Sequence, residues 1–321
     1  MRFSNDSAPS MTLDAYRTWA GRLVLAAFVL VATAGCEKSG GTTEETAGEE
    51  TPTSRVLEAA SEDLPDEPKR IVSLAPNITE TLFALGVGDR VVAVTNFCDY
   101  PPDVESLPSI GSFSNPDFET ILSKKPDLVL GITSGGDQSV ADKLKDAGVP
   151  YAFLRTYTVE DTLDMLEAVG ELVGRPGAGR GLVEEIRGQF EEIRQEHANK
   201  AVPTLLVYGH DPLVAAGSGT FGHQLLEMAG GENVVGDSDK KFPRLDLEKV
   251  LALQPERIID TSMRPEQADG SFWEQHTAVK AVQNGGVVHL TDPVVLRPGP
   301  RIDEGLRRIA RALHELEGDS R

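Results

Sequence analysis

The residues best suited to chemistry in this sequence are rings and carboxylates gathered in loops. Asn96-Phe97-Cys98-Asp99-Tyr100-Pro101-Pro102 follows the apolar run at 90–95 and sets two rings, a thiol and a carboxylate in one turn stiffened by prolines. Phe113 lies in the next loop. Tyr208-Gly209-His210-Asp211-Pro212, Phe242 and Leu296-Arg297-Pro298-Gly299-Pro300-Arg301 bring similar groups to the second half. Such loops are the material of a binding surface. Rings stack on an apolar or planar ligand, while arginine hydrogen-bonds its polar edge. Catalytic patterns are missing: the sequence holds no Gly-x-Ser-x-Gly elbow, and its histidines at 197, 223, 276, 289 and 314 show no metal-ligand spacing.

Other groups read more plainly. His210 with Asp211 has the chemistry of a metal or axial ligand, but Asp-Pro favours a turn, and a turn is the reading taken. Gly217-Ser218-Gly219-Thr220-Phe221-Gly222 precedes a helical run but lacks the lysine of a phosphate loop, so it reads as a tight turn. Arg155 and Tyr157 follow a strand closely enough to reach a cleft but are read as capping the end of a lobe, and Cys98, a candidate ligand contact, is read as an ordinary loop thiol.

The elements that must position these loops alternate. Apolar strands are expected at 70–75, 90–95, 127–132 and 151–154, with helices at 78–86, capped by Asn77, and near 138–147. Helical spacing then runs through 159–173 and again to about Asn199; a continuous helix of ~23 residues would span roughly 35 Å. Alternation resumes with strands at 204–209, 257–260 and 286–290 and helices at 222–229, 246–253 and 301–316. This pattern predicts an α/β protein with mostly parallel sheets.

An internal repeat divides the chain. At an offset of 129, Phe113 matches Phe242, Asp117 matches Asp246, Glu119 matches Glu248, Leu122 matches Leu251 and Pro126 matches Pro255. Each copy reads as aromatic, loop, capping Asp, short helix, Pro, strand. Two similar lobes joined by a long helix follow, with their strand ends facing one cleft. Glu119 and Glu248 fall in the first turn of their helices, where the helix dipole favours a negative charge.

Charge and the N-terminus set the compartment. A net charge of −20 argues against nucleic acid as a partner. Residues 37–67 carry ten acidic side chains against Lys38 and Arg55 and read as a disordered tether. Arg17 and Arg22 precede a 13-residue uncharged run ending at Cys36, too short for a comfortable membrane span. Thr33-Ala34-Gly35-Cys36 resembles a bacterial lipoprotein processing site, which implies export and lipidation of Cys36; Met11 is an alternative start. With Cys36 so used, Cys98 has no intramolecular disulfide partner. The expected division is a signal peptide at 1–35, a tether at 36–68, an N-terminal lobe at 69–158, linker helices at 159–200 and a C-terminal lobe at 201–321.

Over about residues 69–317 the chain resembles the periplasmic substrate-binding proteins of ATP-driven importers for vitamin B12, ferric siderophores and haem. The motifs that carry the resemblance are RIVSLAPNITETLFALG, CDYPP, PDFETILSKKPDLVLG, LEMAGGENV, LDLEKVLALQPERII and RPGPRIDEGLRRIA. DYPP with RPGPRI is most similar to the B12 branch. The resemblance implies the class III architecture, two Rossmann-like lobes on a long helix, and a monomer that is not an enzyme. It implies no intrinsic cofactor, and cobalamin as the ligand of Tyr100, Phe113, Tyr208, Phe242 and Arg297. It also implies docking of Glu119 and Glu248 on arginines of the membrane permease. The family's matching aromatics are often Trp; here Phe113 and Phe242 stand there. Haem or a ferric siderophore is the alternative ligand, with Tyr100, Tyr208 or His210 as axial groups, and a two-lobed hydrolase is a more distant reading.

Overall fold

Two mixed sheets, each with four parallel strands, carry the protein. In the computed structural model, described over residues 51–113, 115–133, 138–197, 201–262 and 271–315, the first sheet is built from Ile71–Ser73, Val91–Val94, Leu128–Ile132 and Tyr151–Leu154. Ile71–Ser73 lies between Val91–Val94 and Leu128–Ile132, and Tyr151–Leu154 pairs outside the latter, all parallel. Runs such as LVLGI and YAFL are apolar on both faces because helices cover both. The second sheet repeats this order. Val202–His210 lies between Gly231–Asn233 and Arg257–Asp260, and Val287–His289 pairs outside the latter, again parallel. This sheet carries an antiparallel extension: after the turn at Asp211-Pro212 the chain returns as Leu213–Ala215, which pairs antiparallel with Val202–His210 and also with Arg244–Leu245.

The first sheet also gains a strand in the stretch expected to be tether. Pro52–Val56 is helical, and Leu57–Ala60 pairs antiparallel with Tyr151–Leu154 at the sheet edge. The low apolar content of 37–67 hides this strand, whose stability comes from long-range partners. Val56 is fully buried, Arg55 makes a paired ion contact with Asp164, and Thr53 hydrogen-bonds Glu171. The leader, Cys36 and the acidic residues up to 50 lie outside the described residues. Among the described residues, no helix is long and apolar enough to cross a membrane.

The lobes are joined by two helices. Val159–Leu172 begins with a capping box between Thr158 and Asp161, and Pro176–Glu196 is the long helix, 21 residues or about 32 Å. They turn back on each other at a point where a Cβ on Gly170 would lie 3.1 Å from the Gly179 Cα, so glycine permits the approach. Leu163, Leu166 and Val169 of one helix, with Val183, Ile186 and Phe190 of the other, belong to a single core cluster. That cluster also takes Ile71 and Leu82 from the first lobe and Leu206, Leu225, Ile259 and Leu306 from the second. Each lobe adds a smaller core on its outer side, around Phe153 in the first and Trp273 in the second. A shared core resists wide hinge opening, because parting the lobes would expose apolar surface at about 25 cal/mol per Å².

One expected cap is corrected. The helix Pro76–Ala84 has Ala75 at its N-cap and no side-chain cap. Pro76 takes the first helical position, and Asn77, buried one residue further in, donates instead to the Pro298 carbonyl of the other lobe at 2.9 Å. The repeated helices behave as read. Asp117 caps Phe118–Ser123 by accepting from Thr120 N at 3.1 Å, and Asp246 caps Leu247–Leu253 by accepting from Lys249 N at 2.7 Å.

Candidate binding cleft

The loops with rings leave the strands as the repeat requires, and they meet the opposite lobe at two places. The first is an ionic clasp. Glu80, 3% exposed on the helix Pro76–Ala84, accepts from Arg297 Nη1 at 2.6 Å and from Arg301 Nε and Nη2 at 2.9 Å each. Arg297 also donates to both Asp99 oxygens, at 2.7 and 3.3 Å. Two acids of the first lobe thus neutralise two arginines of the second. Hydrogen bonding to Arg297 holds the Asp99 carboxyl below its usual range. Burial opposes the charge on Arg297, but its bonds to Asp99 and Glu80 carry its pKa upward overall.

Tyr100 belongs to this clasp. Its ring lies 3.8 Å from the Arg301 guanidinium carbon, a stacked cation–π contact. It also lines a cavity of about 320 Å³ with Glu80, Phe83, Ala84, Pro101, Leu182, Pro300 and Arg301, between the lobes and beside the long helix. The sequence reading set Arg297 against the polar edge of a ligand. Its guanidinium is committed to carboxylates, and Glu80, Asp99 and Arg301 are the partners that reading did not single out. Arg301 was in view within RPGPR, but a glutamate in an amphipathic helix carries no mark of an interlobe ion pair.

The second meeting place is aromatic. Phe242, 57% exposed, lies with its ring centroid 5.8 Å from that of Tyr208. Tyr208 is half-buried, and burial raises its hydroxyl pKa, partly offset by a hydrogen bond with Thr220. Tyr157, 46% exposed, lies beneath Lys241 of the other lobe, with Nζ 5.7 Å from its ring centroid. Of the two readings of 155–157, Arg155 follows the lobe cap and Tyr157 the reach across. Arg155 does bond the capping-box Asp161 at 3.0 Å, whereas Tyr157 reaches across. Phe113 differs from its repeat partner Phe242: it is half-buried against the first lobe's outer core. The described ring contacts thus join Tyr208 with Phe242, and leave Tyr100 with Arg301.

The remaining candidates are structural. His210 is buried, bonded through Nε2 to Asp260 at 2.7 Å and stacked on Phe272 at 4.2 Å. Among the described residues no group of three or more His, Cys, Asp or Glu is arranged to hold a metal. Cys98 lies 3.1 Å from the Thr79 hydroxyl and 3.2 Å from that of Thr95. Gly217 to Gly222 has the glycine spacing of a dinucleotide loop, but the close approaches serve the fold. A Cβ on Gly217 would lie 2.1 Å from the Lys240 carbonyl oxygen, and one on Gly222 would lie 2.4 Å from the Tyr208 hydroxyl. Glu119 and Glu248 are both exposed in the first turn of their helices and in no ion pair among the described residues.

With this geometry in hand, comparison with known proteins is decisive for the family. The periplasmic binding protein family model matches residues 71–294. The chain belongs to that family. The vitamin B12-binding protein of Vibrio cholerae is 30% identical over 243 residues, spanning 75% of this chain and 87% of that protein. The crystal structure of a periplasmic vitamin B12-binding protein from the same organism superposes with a TM-score of 0.68 at 28% identity, covering 78% of this chain and 98% of that one. A periplasmic heme-binding protein from Roseiflexus has a TM-score of 0.70 at 28% identity, covering 77% and 98%. These neighbours share the class III two-lobed architecture. Membership makes the chain an exported substrate-binding component of an ATP-driven importer, with a permease as partner and a small molecule as cargo.

Proposed function

We propose that the protein captures vitamin B12 or a related corrinoid between its lobes and delivers it to the importer. The observation that carries this reading is the similarity to a B12-binding protein over three quarters of the chain, together with exposed rings in loops of both lobes. Tyr100, Tyr208 and Phe242 offer faces to the corrin ring and its apolar edges, Phe113 being packed against the first lobe's outer core, and burial of that area supplies most of the affinity. Arg297 acts from within the clasp, fixing the Asp99-Tyr100 loop at the rim. Glu119 and Glu248 dock on the permease, one per lobe. Lipidated Cys36 holds the monomer at a bacterial membrane, and the protein needs no cofactor of its own.

A second ligand, haem or a ferric siderophore, is favoured by the similarity to the Roseiflexus heme-binding protein. His210 is committed to Asp260, so Tyr100 and Tyr208 are the remaining axial candidates for haem. Titration of the full chain with cyanocobalamin, dicyanocobinamide, haemin and ferric siderophores, followed by fluorescence and visible spectra, separates the readings. Saturable one-to-one binding of cyanocobalamin is expected. A shifted Soret band with haemin and no response to either corrinoid would move the assignment to haem, and a charge-transfer band retained only with siderophores would move it to iron. Glu119→Ala combined with Glu248→Ala should abolish uptake while leaving affinity intact; equal loss of both would contradict the docking role.

A further inference from the structure

The aromatic meeting place holds a cation with no assigned purpose. Lys241 extends from the second lobe to the ring of Tyr157 in the first, and among the described residues no carboxylate lies within ion-pair reach of it. Its backbone is fixed: Gly217 N donates to the Lys241 carbonyl at 2.8 Å, and Ala215 N donates to that of Pro243 at 3.1 Å. The adjacent Phe242 and its neighbour Tyr208 supply apolar faces. We infer that Lys241, with Tyr157 opposite, forms a subsite for an anionic group, a phosphodiester or carboxylate, at the edge of the bound ligand. This rests on the proposed nutrient-capturing role of the cleft.

Three arguments support it. A protein of net charge −20 repels an anion at long range, so an anionic ligand requires a local cation. Among the described residues, Arg297 and Arg301, which also lie where the lobes meet, are already neutralised by Glu80 and Asp99. A lysine on a ring face makes a weaker contact than a charge-assisted hydrogen bond, so Lys241 exchanges the ring for an anion readily. Because Tyr157 and Lys241 come from different lobes, an anion held there contacts both sides of the cleft at once.

The test compares the full-length wild type with Lys241→Gln and Lys241→Arg by calorimetric titration at low and high salt. The probes are cyanocobalamin, whose nucleotide arm carries a phosphodiester, and dicyanocobinamide, which lacks that arm. If the wild type takes haemin instead, the pair is haemin and its dimethyl ester. Lys241→Gln should weaken binding of the anionic probe about threefold to fivefold at low salt, with the loss shrinking as salt rises. Lys241→Arg should keep wild-type affinity, and the probe without the anion should bind all three proteins alike. Unchanged affinity of Lys241→Gln for the anionic probe, or an equal loss for its uncharged counterpart, would overturn the subsite while leaving the nutrient reading standing. Failure of the wild type to bind any of the four would overturn the subsite together with the corrinoid and haem readings.

Discussion

At the carboxyl end of its third parallel strand, the first lobe has Gly131 paired with Phe153, and the second has Asp260 paired with His289. The positions are equivalent: they are 129 residues apart along the repeat and share the same register within their sheets. Phe153 is fully buried, and its ring fills the space a side chain at 131 would need. Asp260 is also fully buried but is satisfied on every side. Trp273 Nε1 donates to it at 2.8 Å, His210 bonds it at 2.7 Å, and Ser262 donates through its backbone N at 3.0 Å and its hydroxyl at 2.6 Å. One strand order thus accepts two opposite fillings, hydrocarbon or a carboxylate with its full set of donors. In the first lobe this position is closed by the packed Phe153 ring. In the other, the buried acid ties His210 and Trp273 to the sheet beneath the cleft.

The comparison can be broken at several points. Glu80→Ala removes the acid that ties the unlike lobes together and leaves Arg297 and Arg301 half-buried without it; a loss of about 3–5 kcal/mol is expected in urea denaturation. Asp260→Ala strands the Trp273 and His210 nitrogens, with an expected cost of about 2–3 kcal/mol. Near-wild-type stability would mean that the donors find other partners. Gly131→Ala drives a methyl to 2.7 Å from the Phe153 ring and should cost about 1–3 kcal/mol by the same measurement. The smallest effects test where the lobes agree. Asp117→Ala and Asp246→Ala should each cost about 1 kcal/mol, and a clear inequality would show that the repeated caps are not equivalent.

The repeat made much of this legible. Asp117 and Asp246 sit before short apolar runs and cap the helices they announce, because capping is local chemistry. The four core strands of the first lobe and the long linker helix follow from periodicity for the same reason. What escaped notice depends on distant partners. Glu80 looks like any glutamate in an amphipathic helix, and Asp260 like the polar end of a strand. Leu57–Ala60 carries too little apolar surface to mark itself as a strand until Tyr151–Leu154 offers an edge. Tyr157 could be placed at the end of a lobe, but only the meeting of the lobes sets it against Lys241.

The central claim is that one ligand is held at once by loops of both lobes. Hydrogen exchange of the full chain with and without cyanocobalamin tests it most directly. Slowed exchange is predicted together at residues 96–101 and 155–158 of the first lobe and at 208–212, 240–243 and 297–301 of the second. Protection confined to a single lobe, or no protection at all, would contradict the account.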